Sequence, residues 1–199
     1  MLSFLDSLLL ERYLLCGIMR QDVLHAASCG AHGVALGMVT ADGKVALDQL
    51  RPFVTLCSAL GLDLTFHRAF DIVRDQLVSL EDLIACGVKR VLTSGGRMTV
   101  QEGLDQLQAL VRQSGGRISI MPGGGVTEEN VETIVSVTGV REVHGTFKRS
   151  MPSAMQHHNS HMSFLDLGPD SRGGDEWSRL VTDAEAVKIV RQRLGSMVS

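Results

Sequence analysis

The sequence predicts an α/β fold of consecutive helix and strand units around one parallel sheet, and three observations carry that prediction. First, after residue 17 a helical stretch, a small residue with Gly and a short apolar run recur five times. The instances are "CGAHGVALG" at 29–37, "LGLDLTFHR" at 60–68, "CGVKRVLTSG" at 86–95, "SGGRISIMPGGG" at 114–125 and "TGVREVHG" at 138–145, the order that consecutive βα units require. Second, Gly30, Gly61, Gly87 and Gly139 fall where each helix should stop, and a left-handed residue after the last turn is what such a stop needs. Third, side chains alternate along a strand, so "LDLTFHR" sends Leu62, Leu64 and Phe66 one way and Asp63, Thr65 and His67 the other.

A strand buried in an open doubly wound sheet would be apolar on both faces. One face here is polar, which points to a (β/α) barrel of the TIM type with an interior and a working face at the C-terminal strand ends. Ile118 and Ile120 against Ser119 and Met121, and Val143 against Glu142 and His144, repeat the alternation. Thr65, His67, Ser119, Glu142 and His144 are expected to look inward, with Thr93 and Ser94 at the end of their own strand, so that His67, Ser94 and His144 gather around a common mouth.

Taken in order, the opening "MLSFLDSLLLERYLLCGIM" is apolar, but Asp6, Glu11 and Arg12 break it before a bilayer length is reached, and it has no basic leader region. An amphipathic helix with Leu5, Leu8, Leu9 and Leu15 near one face is expected, a membrane-surface role being the alternative. Leu77, Leu80, Leu83 and Ile84, and then Val100, Leu104, Leu107 and Val111, recur at helical spacing and give two helices a stripe to bury. Residues 146 to about 181 are polar and carry Pro152, Pro169 and "DSRGGDE". A connection of that length is a lid, a packed irregular loop or a disordered segment. Thr182 or Asp183 caps a final helix with Val187, Val190 and Leu194 as its buried stripe and Arg191 and Arg193 near its end.

The 199 residues, 44% hydrophobic and 21% charged, suit one globular domain over 1–199 with an aliphatic core, since aromatics are 4%. A net charge of -3 offers no basic field for a nucleic acid. Cys16, Cys29, Cys57 and Cys86 lie far apart without a C-x-x-C pair, which argues against a disulfide framework or structural zinc and for a reducing cytoplasm, with the nucleus as the alternative.

Chemistry concentrates in "TFHRAFD". His67 reads as a general acid/base or polar anchor tuned by Asp71 or Glu142, or as a hydrogen-bonded interior histidine. Arg68 reads as an anion-binding fork or as the ion-pair partner of Asp71. His67, Arg68, Asp71 and His144 form the candidate catalytic set. Thr93, Ser94 and Gly95 in "TSGG", and Gly123, Gly124 and Gly125 in "MPGGGV", form the candidate ligand-binding set, because bare backbone N–H groups at strand ends attract phosphate. Against this, Glu128 and Glu129 occupy the first turn after Thr127 and would repel an anion, and tight glycine turns explain both loops equally. His157 and His161, at i and i+4, either hold a metal or lie in a solvated loop.

Together "TFHRAFD", "RVLTSGG" and "ISIMPGGGVTEEN", preceded by "GVALGMVTADGKV" and followed by "REVHG", closely resemble the CutC family from about residue 20 onward. The resemblance implies a (β/α)8 barrel, cytosolic copper handling with copper(I) bound, and homo-oligomers. It makes 32–38, 62–68, 89–94, 117–122 and 141–145 the last five of eight parallel strands, so the expected fold is an incomplete TIM-type barrel and the chain a shortened family member. Residues 1 to about 17 do not match. The copper ligands proposed in the family are cysteines on its first strands, and no position here matches them, so no metal ligand is carried over. Gly145 stands where the family has a cysteine after His144. Copper homeostasis with impaired binding is the resulting expectation. The alternatives are a TIM-barrel enzyme acting on a small anionic or phosphorylated metabolite, and a non-catalytic partner protein that joins another chain through its open edges. No nucleic acid or membrane partner is expected.

Overall fold

The computed structural model describes the backbone of residues 4–157 and 177–197 and the side chains of residues 15–157 and 177–196. The side chains of Leu5, Leu8 and Leu9, and the features expected at His161 and Pro169, lie outside those described residues. Two compact units are present: residues 1–125 with 133–144, and residues 126–132 with 145–199.

In the first unit, α1 (Phe4–Ser28) leads into β1 (Gly33–Leu36), α2 (Leu47–Ala59), β2 (Asp63–Phe66), a 3-10 turn (Arg68–Ile72), α3 (Gln76–Cys86), β3 (Arg90–Thr93), α4 (Leu104–Ser114) and β4 (Ser119–Pro122). The four strands form one parallel sheet in the order β1-β2-β3-β4. Their register pairs Ala35 with Thr65, Thr65 with Arg90, and Arg90 with Ser119. The helices stop where expected: Gly30, Gly61, Gly87 and Gly139 have φ of 80°, 68°, 91° and 73°, a region other residues enter only at a cost.

Parity holds as well. Leu64, Phe66, Val91, Ile118 and Ile120 are buried, as are Leu50, Phe53, Leu80, Leu83, Leu107 and Leu110 on the helices. Each such side chain contributes about 1.5–3 kcal/mol by leaving water. The other face carries Asp63, Thr65, Arg90, Ser119 and Glu142. Gly33 and Ala35 are exposed on β1, the edge strand, whose outer side is unpaired among the described residues.

Three expectations change here. The first helix does not end near residue 17 but runs to Ser28, because it contains no proline and the single Gly17 costs only about 1 kcal/mol relative to Ala. Leu15 and Ile18 on it are exposed, and Val23 is buried, so its contact stripe starts late. Leu77 is likewise partly exposed, and Val100, though buried, precedes α4 in a turn. Finally, the fifth expected strand, 141–145, reduces to a single parallel bridge between Gly123 and His144. Continuing that register back three residues sets Arg141 opposite Ile120. Ile120 faces the buried helix layer, and a guanidinium drawn onto that face would be desolvated without a partner.

The helix α5 (Val131–Thr138) follows a turn at 128–130, so Glu128 and Glu129 precede it rather than occupying its first turn. In the second unit β5 (Lys148–Pro152) pairs antiparallel with β6 (Ser178–Thr182), and α6 (Ala184–Met197) follows. The polar stretch from 146 to 181 is therefore not all connection. All five residues of β5 are exposed, so no apolar alternation announced the strand. Asp183 Oδ1 accepts from the Glu185 N–H at 3.0 Å and caps α6, while Thr182 belongs to β6. Ala186 and Val190 are the buried positions of α6, and Val187 is exposed. Among the described residues no helix is long and apolar enough to cross a membrane.

Candidate functional site

The segment after β2 turns back at once into the 3-10 helix, and His67 starts it: its Nδ1 accepts from the Ala69 N–H at 3.1 Å. With Nδ1 accepting, a neutral ring carries its proton on Nε2. Gly37 gives the ring room, since a Cβ there would stand 2.7 Å from Nδ1. Among the described residues neither Asp71 nor Glu142 hydrogen-bonds His67.

One turn later Arg68 and Asp71 meet. Arg68 Nε donates to Asp71 Oδ2 at 2.7 Å, so the ion-pair alternative for Arg68 is the observed one. The Asp71 carboxylate, 9% exposed, points into the loop after β3. There it accepts from the backbone N–H of Ser94 at 3.0 and 3.2 Å, the N–H of Gly96 at 3.1 Å and the hydroxyl of Thr93 at 2.5 Å. The "TSGG" loop does form an anion cradle, as bare amides in a tight turn should. The anion in it is the chain's own. Gly95 does not take part, because its N–H donates to Thr93 Oγ1 at 2.9 Å.

Ser94 is fully buried, and its hydroxyl lies 2.5 Å from the Arg97 carbonyl and 3.1 Å from Asp71 Oδ2. One hydroxyl proton serves only one of these, and the shorter contact claims it. Arg68 Nη2 donates to Ser94 Oγ at 2.8 Å. Gly124 lies beside the same guanidinium: a Cβ there would stand 2.8 Å from Arg68 Nη1, so any side chain would push the fork aside. Gly125 lies against Thr99.

A second cluster occupies the inward face nearer the strand starts. Arg90 donates to both carboxylate oxygens of Glu142, at 2.6 and 2.7 Å, and to Thr65 Oγ1 at 3.3 Å, while Ser119 Oγ donates to Glu142. The Arg90 guanidinium, helped by Ser119, holds the Glu142 carboxyl below its ordinary range. Glu142 returns the effect and raises Arg90.

Arg68, Asp71, Thr93 and Ser94 are thus joined by hydrogen bonds, with Gly124 against them. Gly123 and His144 are joined by the bridge, where the His144 N–H donates to the Pro122 carbonyl at 2.8 Å. His67, Ser94 and His144 stand at the same end of the sheet, but no hydrogen bond links any two of them, and the His144 side chain is exposed. Sequence reasoning missed Arg90 and Gln76, whose Nε2 donates to Thr93 Oγ1 at 3.4 Å. Arg90 was findable, since it lies at the inward parity of Leu92 and Ser94 on its own strand.

A family model described as the CutC family matches residues 15–149. A family protein CutC of Xanthomonas campestris pv. campestris is 44% identical over 158 residues, covering 79% of this chain and 64% of its own length. That of Vibrio campbellii is 40% identical over 174 residues, covering 85% of this chain and 67% of its own. A solved CutC structure from Streptococcus agalactiae, named for copper homeostasis, has a TM-score of 0.63 and 36% identity, over 67% of this chain and 64% of that one. The first of these relatives is therefore spanned over less than two thirds of its length. The likeness assigns the parallel sheet to the TIM-barrel type, and among the described residues that barrel is not closed. With a match running through the sheet, the Asp71 loop and the His144 bridge, the chain belongs to the CutC family.

Proposed function

We propose that the chain serves copper homeostasis and holds copper(I) weakly, as cargo. Family membership supports the first part. One observation supports the second: Cys29 Sγ lies 3.6 Å from His25 Nε2 at the exposed end of α1, a soft sulfur beside an imidazole. The remaining thiols are poorer ligands. Burial pushes Cys57 and Cys86 upward from the ordinary thiol range, which reduces the thiolate they offer, and Cys16 is half-buried. Among the described residues no three His, Cys, Asp or Glu side chains converge as a metal site. Two ligands hold a soft ion loosely and leave its remaining positions open for exchange.

Titration of the reduced protein against a copper(I) chelator tests this. One weakly held equivalent is expected, with affinity falling about tenfold or more in Cys29→Ser and unchanged in Cys57→Ser. Equal affinity in wild type and Cys29→Ser would sink the assignment. The same reading includes a cytoplasmic location and homo-oligomerisation. Sedimentation of the purified chain should show a species heavier than 21.5 kDa; a strictly monomeric boundary would remove the oligomer.

A further inference from the structure

Where the fifth strand fails to zip onto β4, it leaves a slot. The cavity measures about 420 Å³ and is lined by Val111, Ile118, Ile120, Val140 and Arg141, with Ser114, Ser119 and glycines completing the wall. That volume falls within the range of about 300–1,000 Å³ usual for small-molecule sites.

The lining holds polar groups that have no partner among the described residues. In a parallel sheet alternate residues bond to opposite neighbours. Ser119 and Gly123 donate to Lys89 and Thr93 on β3, so Ile120 turns its N–H the other way, toward the segment at 140–142. Only His144 reaches across, to Pro122. Among the described residues nothing accepts from the Ile120 amide, and Arg141 makes neither a hydrogen bond nor an ion pair. The hydroxyls in the lining are already engaged: Ser114 donates to the Val111 carbonyl and Ser119 to Glu142. On the open edge of β4 the Ile120 amide and its carbonyl are both left over, and the one charge without a partner among the described residues of the lining is the Arg141 guanidinium, beside branched aliphatic walls.

We propose that this slot binds a small amphipathic monoanion: an apolar body against Val111, Ile118, Ile120 and Val140, and a single carboxylate for the Arg141 guanidinium and the Ile120 amide. A dianionic phosphate head is disfavoured, since one guanidinium and one amide cannot satisfy it, whereas a carboxylate matches a guanidinium edge. A cation or a neutral polar head would leave Arg141 unpaired. This site is separate from the Asp71 cradle and from the Cys29 and His25 pair, and it does not rest on the copper reading.

The test uses the full chain without metal and octanoate as probe, followed by the ¹⁵N shift of the Ile120 amide. Saturable binding is expected, with the Ile120 resonance moving, and with affinity falling about tenfold in Arg141→Gln, the loss of one charge-assisted hydrogen bond. Val111→Trp, at a half-buried helix position, should fill the slot and abolish binding. Octan-1-ol should bind at least about tenfold more weakly than octanoate. Octanoate affinity unchanged in Arg141→Gln, or octan-1-ol binding as well as octanoate, would reduce the slot to a bare apolar surface and overturn the proposal. Circular dichroism of each variant separates lost binding from lost fold.

Discussion

At the C-terminal end of β3, two amides and a hydroxyl from three residues converge with Arg68 on the single carboxylate of Asp71. At the outer edge of β4, two residues from the strand end, the Ile120 amide and the Arg141 guanidinium meet no partner among the described residues. The first region is a glycine-rich turn that bares backbone donors, and the second is a strand edge left unpaired. The difference lies in whether a carboxylate sits within reach. Asp71 is carried to its loop by one tight 3-10 turn, whereas Glu142, next to Arg141, is already held by Arg90 and Ser119. A carboxylate brought in by the chain itself seals the first region, and none reaches the second among the described residues.

The sharpest way to break this contrast is Asp71→Ala. It leaves a guanidinium, two amides and a hydroxyl without their acceptor, and each buried donor so orphaned costs about 1–3 kcal/mol. Urea unfolding should show a midpoint falling accordingly, with Asp71→Asn less affected because its amide oxygen still accepts. A loss within error for Asp71→Ala would mean the cradle contributes nothing to stability.

A smaller effect is expected at Glu142. Its folded pKa lies below the ordinary value because of Arg90, so its stabilisation is complete above the unfolded value of about 4.3 and fades as pH falls through the folded one. With 36% of the side chain exposed, solvent screening limits the contribution to about 1 kcal/mol. Glu142→Gln should lower stability at pH 7 by that amount and flatten the loss as pH falls below about 4.3. Amide exchange at His144, whose bridge the Arg90 clasp steadies, should quicken in step. An acid limb identical in both proteins would remove Glu142 from the account.

Much of the fold was readable because it is locally determined. The alternation of Leu62, Leu64 and Phe66 against Asp63 and Thr65, and the stops at Gly61 and Gly87, follow from backbone geometry within a few residues. The remainder depended on distant partners. Arg68 was legible as either a fork or an ion pair, and only the turn that sets Asp71 beside it decides. The "TSGG" loop was legible as a cradle, but its occupant arrives from 23 residues away. "REVHG" alternates like a strand, yet Arg141 falls opposite a buried Ile120, a mismatch visible only once the register is known. Likewise β5 forms through pairing with β6 across a long separation and carries no apolar signature of its own.

The filled loop at Ser94 and Gly96 has a further consequence for selectivity. An anion from solution would compete with a tethered carboxylate whose effective concentration, over so short a connection, is on the order of millimolar or higher. Weak or monodentate anions therefore cannot displace it at cellular levels. Only a species that engages several of the same amides at once, and gives the displaced Asp71 another cation to meet, could open that loop.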